Sequence, residues 1–283
     1  RVKQHFSRVK RGGVGLKTHE QPVDHRRKYS ISLIPPYTHA LPLQPKLTAT
    51  PVTAPVPTLQ RAIELRPPGR GEASAFDRAQ ELVDRLNAQS AAIQYRLNGN
   101  RLEHEVKDEA ALTFFDRRIR DFIDRAQVVP LRVITSAGRV NNGAGGFDPL
   151  LQDSFVAGYV DLDDLLNTDN QSFQDIFIHF MSERFAVRDY DRLIGTDALG
   201  NQFNRAHAVG IDAERDRLRD VLNDPSIIHN YDEVKPGGNT LVRAFRSRDH
   251  GYRLFIVLSN AAGERTASRM FVQTADGRRL SVE

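Results

Sequence analysis

Apolar residues recur at helical spacing in four stretches and alternate at strand spacing in several others. Phe76, Leu82, Val83 and Leu86 share one face of a helix expected from about 75 to 89, with Ser74 and Asp77 as an S-x-x-D cap. A second stripe, Leu112, Phe115, Ile119, Phe122, Ile123 and Ala126, predicts a helix that opens at Asp108 and ends near 126. In a third, from Phe173 to Ala186, seven apolar side chains cover more than half the circumference, and Ser172 and Asp175 form its capping pair. That helix is expected to be central and well buried. A fourth runs from Phe203 to Leu222, with Phe203, Ile211, Leu218, Val221 and Leu222 as its apolar stripe.

Strand spacing appears around these helices. The stretch 93–106 alternates on both sides of Asn98-Gly99, the signature of a tight hairpin. VPLRVIT (129–135) predicts a short buried strand, and SFVAGYVDL (154–162) another, followed by a turn or short helix at Asp163–Leu166. After Pro225 the period changes. TLVRAFRS, YRLFIVLS, RTASRMFVQT and RRLSV read as four strands of an antiparallel meander within 228–283, paired with the 93–106 hairpin or forming a layer of its own. The fold class expected is α+β: about four helices, a hairpin and a C-terminal meander.

Residues 1–70 stand apart. They carry 13 Lys/Arg against 3 Asp/Glu, whereas 71–283 carry 27 against 33, so the overall charge of +4 conceals a basic leader and a mildly acidic remainder. Residues 1–30 are basic and glycine-containing, and 31–68 hold nine prolines, a density that opposes helices and sheet ladders. The expectation is a flexible arm over 1–70 and a globular domain from 71, beginning near Glu72. Such an arm serves as a spacer, as a dock onto a partner protein or particle, or, less favoured, as a nucleic-acid contact. The acidic remainder reads as a poor nucleic-acid surface. No apolar run approaches 18 residues, so no transmembrane helix is expected. The N-terminus lacks the apolar h-region of a secretory signal, and the absent initiator Met suggests processing or an alternative start. Cysteine is absent, which removes disulfides, thiolate metal sites and cysteine nucleophiles.

The chemistry-bearing residues gather on the third and fourth helices. His207 and Glu214 fall inside the apolar stripe of the fourth, beside Gly210, which admits a close neighbour. His179 and Glu183 lie one turn apart on the third, with Arg184 pointing into its apolar arc. A His and a Glu aimed at a core need partners, since unpaired burial costs several kcal/mol. Three readings stand open. One is a structural network in which Glu214 pairs with Arg184 and His207 donates to a backbone carbonyl or to Glu183. Another is a divalent metal, zinc, manganese or iron, held by His179, Glu183, His207 and Glu214. In the last, Glu183 or Glu214 is a general acid or base assisted by a histidine, in a hydrolase of peptide, glycosidic or phosphoester bonds. The chain has no H-E-x-x-H and no E-x-x-H pair.

Other motifs carry less. The glycines of 136–150 match neither a P-loop nor G-x-G-x-x-G. Asp161, Asp163 and Asp164 suit a helix cap as well as a magnesium site. No G-x-S-x-G elbow is present.

The run IHFMSERFAVRDYDRLIGT followed by FNRAHAVGIDAERDRL resembles uncharacterised globular modules of proteins associated with bacterial contractile injection systems. The resemblance spans roughly residues 90–280 and brings no established site residues with it. It implies a delivered effector or cargo protein, made in the bacterial cytoplasm and then loaded or secreted. The rival expectation is a non-catalytic assembly component that docks through its arm.

Overall fold

Ile63 and Leu65 alternate with Glu64 and Arg66, and the chain uses that alternation to place a strand, β1 (Ile63–Arg66), with its apolar residues buried. A computed structural model describes residues 63–69, 73–136, 153–235, 240–259 and 267–282, all within one unit spanning Val56–Glu283. Expectations for 1–62 and for the glycine-rich loop 137–150 lie outside the described residues. β1 corrects the boundary expected between arm and domain. It falls inside the stretch assigned to a flexible arm, yet sits third in a six-stranded sheet of order β2-β3-β1-β4-β6-β5. The other strands are β2 (Ile93–Asn98), β3 (Arg101–Val106), β4 (Val129–Ile134), β5 (Asp153–Ser154) and β6 (Tyr159–Asp161). The proline density over 31–68 concealed a proline-free window, Thr58–Arg66, bracketed by Pro57 and Pro67. β1 runs parallel to β4 and antiparallel to β3, so the sheet is mixed. The expected single strand over 154–162 is the β5–β6 hairpin, turned where Gly158 takes φ 72°.

The helices are α1 (Ala79–Asn87), α2 (Phe114–Ile123), α3 (Leu162–Leu166), α4 (Asn170–Phe185), α5 (Tyr190–Leu193), α6 (Asp197–Gly200) and α7 (Phe203–Val221). Three expected caps are displaced. Ser74 accepts from the Phe76 N–H in a preceding 3₁₀ turn, and α1 itself has no side-chain cap. Asp108 caps a 3₁₀ turn at Glu109–Ala111, while α2 starts on a Thr113–Asp116 capping box. α4 begins earlier than Ser172, on Asp169, whose carboxylate accepts from the Ser172 N–H. Ser172 and Asp175 are therefore interior helical residues, fully buried.

The second sheet is a five-stranded antiparallel meander: β7 (Ile227–Val234), β8 (Thr240–Ser247), β9 (Arg253–Ser259), β10 (Ala267–Gln273) and β11 (Arg279–Ser281), in sequence order. The 93–106 hairpin belongs to the other sheet. β7 is one strand more than expected. It is an edge strand, bulged between His229 and Tyr231, and its polar residues hide the alternation. The fold is α+β, and among the described residues no helix is long and apolar enough to cross a membrane.

The main core joins the mixed sheet to α1, α2 and one side of α4, with Phe115, Phe173, Phe177 and Phe180 at its centre. A second core lies under the meander, where Leu218 of α7 meets Ile227, Phe245, Leu254, Ile256 and Met270. α4 and α7 pack against each other between these cores. The predicted stripe of α7 is only partly buried: Leu218 lies in the second core with Ile211 and Leu222 packed against it, while smaller residues line the face toward α4. Ala206, Gly210, Ala213, Glu214, Arg217 and Leu218 are buried, whereas Phe203 and Val221 are 38% and 45% exposed. Small residues win the interface because they let the helix axes come close, and larger apolar residues are left at its rim.

Candidate functional site

Helix geometry sets the site. His179 and Glu183, at i and i+4 on α4, present their ends to the same side. On α7, His207 and Glu214 are spaced by two turns and face α4, with Gly210 between them. A Cβ on Gly210 would stand 2.9 Å from Glu183 Cγ, His179 Cε1 and His179 Nε2, so the absence of a side chain there is what lets α7 close on the pair.

The polar ends converge. His179 Nε2 lies 2.7 Å and His207 Nδ1 2.6 Å from the same oxygen, Glu183 Oε1, and the two nitrogens are 3.1 Å apart. The far side of each imidazole meets another carboxylate. His179 Nδ1 is 3.2 Å from Glu214 Oε1, and His207 Nε2 is 3.8 Å from Asp232 Oδ2. Arg243 completes the cluster: its Nη1 donates to Glu214 Oε1 at 2.6 Å and its Nε to Asp232 at 3.1 Å. His229 Nε2 lies 3.0 Å from Asp232 Oδ1. Glu214 Oε2 is buried and has no hydrogen-bond partner among the described residues.

The cluster has a dry end and a wet end. Glu214 is fully buried and Glu183 and His179 nearly so, while His207, Asp232 and His229 are about one-quarter exposed, at 27%, 26% and 28%. Phe203 stacks on the His207 ring at 5.1 Å near the opening.

Charge is shared across the cluster. Burial disfavours charge on His179, but the Glu214 and Glu183 carboxylates outweigh burial and the opposing Arg243, and raise its pKa to about 9. Asp232 and Glu183 raise His207. Burial works against an ionised Glu183, yet His179 and His207 lower it. Burial likewise opposes ionised Glu214, and Arg243 and His179 lower it. Asp232 follows the same pattern, with His207 and Arg243 overcoming burial. With neutral histidines, three carboxylates and one guanidinium leave two negative charges to be balanced. Two imidazolium protons or one divalent cation supply that balance.

Of the five residues singled out in the sequence, four are brought together: His179, Glu183, His207 and Glu214. Arg184 is not among them, and the expected Glu214–Arg184 pair does not form. Arg184 is fully buried on an adjoining face of α4, 3.0 Å from Asp153 Oδ2, and donates to the carbonyls of Phe180 and Tyr159. Glu183 and Arg184 are consecutive, about 100° apart around a helix, enough to send them to different neighbours. Arg243 takes the predicted role. Arg243, Asp232 and His229 were missed. The available signal was an inward-facing Arg in a strand of otherwise apolar inward positions, Phe245 beside it and Ile256 opposite.

The weaker candidates resolve into local structure. Asp161 accepts from the Asp164 N–H and caps α3, while Asp163 pairs with Arg78 at 2.9 Å. His104 bonds Asp124 at 2.9 Å.

Among the described residues, His179, Glu183 and His207 form the one group with ligand atoms close enough to share a metal ion. The chain matches no known family model, no curated protein and no solved structure.

Proposed function

We propose that the α4–α7 seam is a divalent-metal centre with His179 Nε2, His207 Nδ1 and Glu183 as protein ligands, and that it supports metal-assisted hydrolysis. The observation that carries this reading is the backing of both imidazoles. Each directs one nitrogen at the shared centre and turns the other toward a carboxylate: His179 Nδ1 stands 3.2 Å from Glu214, with Arg243 Nη1 also at 3.1 Å, and His207 Nε2 stands 3.8 Å from Asp232. Carboxylates on that side are the groups that orient metal-binding histidines and make them more basic. Three protein ligands and one partly solvated side also suit a catalytic ion, which keeps a position for water.

The spacing supports the same reading. Around zinc, ligand atoms about 2.0–2.1 Å from the ion stand roughly 3.3 Å apart in a tetrahedron. Here they stand 2.6–3.1 Å apart, the contraction expected when hydrogen bonds replace the ion. Loading opens the triad by a few tenths of an ångström. The bound ion would polarise a water at the His207 side, where His229, held by Asp232 at 3.0 Å, also stands. The setting proposed, an effector or cargo protein of a contractile injection system, rests alone on the resemblance over roughly 90–280 carried by the runs 178–196 and 203–218.

The test is elemental analysis of the full chain after exchange into zinc or manganese, beside His207→Ala and Glu214→Gln. One equivalent is expected in the parent and none in His207→Ala. Glu214→Gln, which removes only the backing carboxylate, is expected to bind about 10- to 100-fold more weakly. A folded parent chain that takes up no ion overturns the proposal and leaves the protonated network as the reading.

A further inference from the structure

The acidic total of the domain hides a basic face. The inner side of the meander packs on α7 through Phe245, Leu254, Ile256 and Met270. Alternation then sends Tyr231, Val242, Ala244, Phe255, Val257 and Phe271 to the outer side, where they form an apolar strip. Around it on the same outer side, among the described residues, stand Lys235, Arg246, Arg253, Arg269 and Arg279, all exposed, with Glu233 as the acid among them. Lys235 bonds Glu233 at 2.7 Å, Arg269 donates to the Asn167 carbonyl, and Arg279 lies over the Phe271 ring at 4.9 Å. Arg246 and Arg253 face each other across β8 and β9, a like-charge pair that destabilises a bare sheet. Phe255 and Phe271 stack at 5.1 Å on this face, beside a hollow of about 390 Å³ lined by Tyr231, Lys235, Arg269 and Arg279.

We infer that this outer sheet face binds single-stranded nucleic acid, with phosphates on the arginines and a base against the Phe271–Arg279 platform. Charge complementarity calls for a polyanion, since an anionic ligand would relieve the Arg246–Arg253 opposition. The planar groups choose among polyanions. A Phe ring carrying a stacked guanidinium, with Tyr231 across the hollow, offers π-faces that a base can use and an acidic side chain cannot. A lipid surface fits less well, because Phe255 and Val242 form a recessed floor and are 9% and 8% exposed.

The probe is a fluorescein-labelled oligothymidylate of about 20 nucleotides, titrated with the full chain and read by anisotropy at low and moderate salt. Arg253→Glu replaces a repulsive cross-strand pair with an attractive one. It is expected to raise the denaturation midpoint while weakening binding about tenfold or more, so unfolding cannot account for the loss. Phe271→Ala is expected to weaken binding about tenfold, within the range for one stacked base. Arg26→Gln/Arg27→Gln/Lys28→Gln in the basic leader should leave affinity within about twofold. Three results overturn the inference: no binding by the parent chain, loss confined to the leader variant, or displacement by polyglutamate as effective as by unlabelled oligonucleotide. The last would assign the face to an acidic polypeptide.

Discussion

Gly210→Ala tests whether the seam between α4 and α7 is as close as the site requires. At an exposed helical position this change stabilises a protein by about 1 kcal/mol, because alanine forfeits less backbone entropy than glycine. At Gly210 the added Cβ would stand 2.9 Å from Glu183 Cγ and from His179 Cε1 and Nε2. Those atoms cannot easily give. His179 is held at 2.7 Å by Glu183 and at 3.2 Å by Glu214, and Glu183 is also held by His207 at 2.6 Å. Overpacking a rigid site costs about 1–3 kcal/mol. Set against the propensity gain, the net expectation is a loss of up to about 2 kcal/mol. Urea denaturation, read as a shift in midpoint at constant m, measures it. A second reading comes from His179→Ala/Gly210→Ala, where truncating the ring removes two of the three close approaches. The double variant should be more stable than the sum of the single effects, with a coupling of about 0.5–3 kcal/mol. A gain of about 1 kcal/mol for Gly210→Ala alone would show that the helices stand further apart, and would remove the geometric basis of the site.

Other consequences follow from burial and pairing. Arg217→Leu strands Asp175, which is fully buried and bonded to Arg217 at 2.7 Å, and should cost about 3–5 kcal/mol in the same denaturation assay. Asp224 accepts from Tyr252 Oη at 2.5 Å and from Ser226 Oγ at 2.7 Å, and despite burial these bonds hold its carboxyl below the usual range. Its contribution is therefore present above the unfolded value of about 4 and is lost as pH falls below it. Asp224→Asn should flatten the acid limb of a stability-versus-pH curve, and an unchanged limb would contradict this. A chain beginning at residue 71 lacks β1 and splits the sheet between β3, still paired with β2, and β4, still paired with β6, so circular dichroism should find it unfolded or molten, whereas a chain beginning at 56 should give a cooperative transition.

The elements with one strong local cause were legible. The 93–106 hairpin follows from Asn98-Gly99 between alternating runs, with Gly99 at φ 62°. α4 follows from its apolar circumference. β1 was not legible, because four residues between prolines carry too little pattern, and its place is fixed by two partners remote in sequence. The face of α7 was misread in part, at Phe203 and Val221, for a related reason, while Leu218, Ile211 and Leu222 do pack on the second core. Hydrophobicity picked Phe203 and Val221, whereas packing picked Ala206, Gly210 and Ala213, residues whose small size is their qualification. The cluster was half visible. Helical spacing brought His179 to Glu183 and put His207 and Glu214 on one side of α7, but Arg243 and Asp232 arrive from strands whose register no local signal sets.

Strand β8 links the two proposed surfaces. Its alternation turns Arg243 inward to Glu214 and Asp232, and turns Val242, Ala244 and Arg246 outward. A slip of one residue would exchange the two sets, putting Val242 or Ala244 beside the histidines, turning Arg246 into the inner core and exposing Arg243. Register is therefore the variable on which both surfaces depend, and the bulge in β7 between His229 and Tyr231 is where it is adjusted. The bulge absorbs the extra residue, Asn230, so His229 meets Phe245 inside, Tyr231 stays outside and Asp232 faces Arg243. Deleting Asn230 should remove the bulge and leave His229, Tyr231 and Asp232 on the partners they already have, Phe245, Ala244 and Arg243. Asp232 then stays in the cluster beside His207, and β8 to β11 and the outer basic face remain paired. Retention of both ion binding and oligothymidylate binding is the expected result. Simultaneous loss of both would mean that β7 sets the register of the whole sheet.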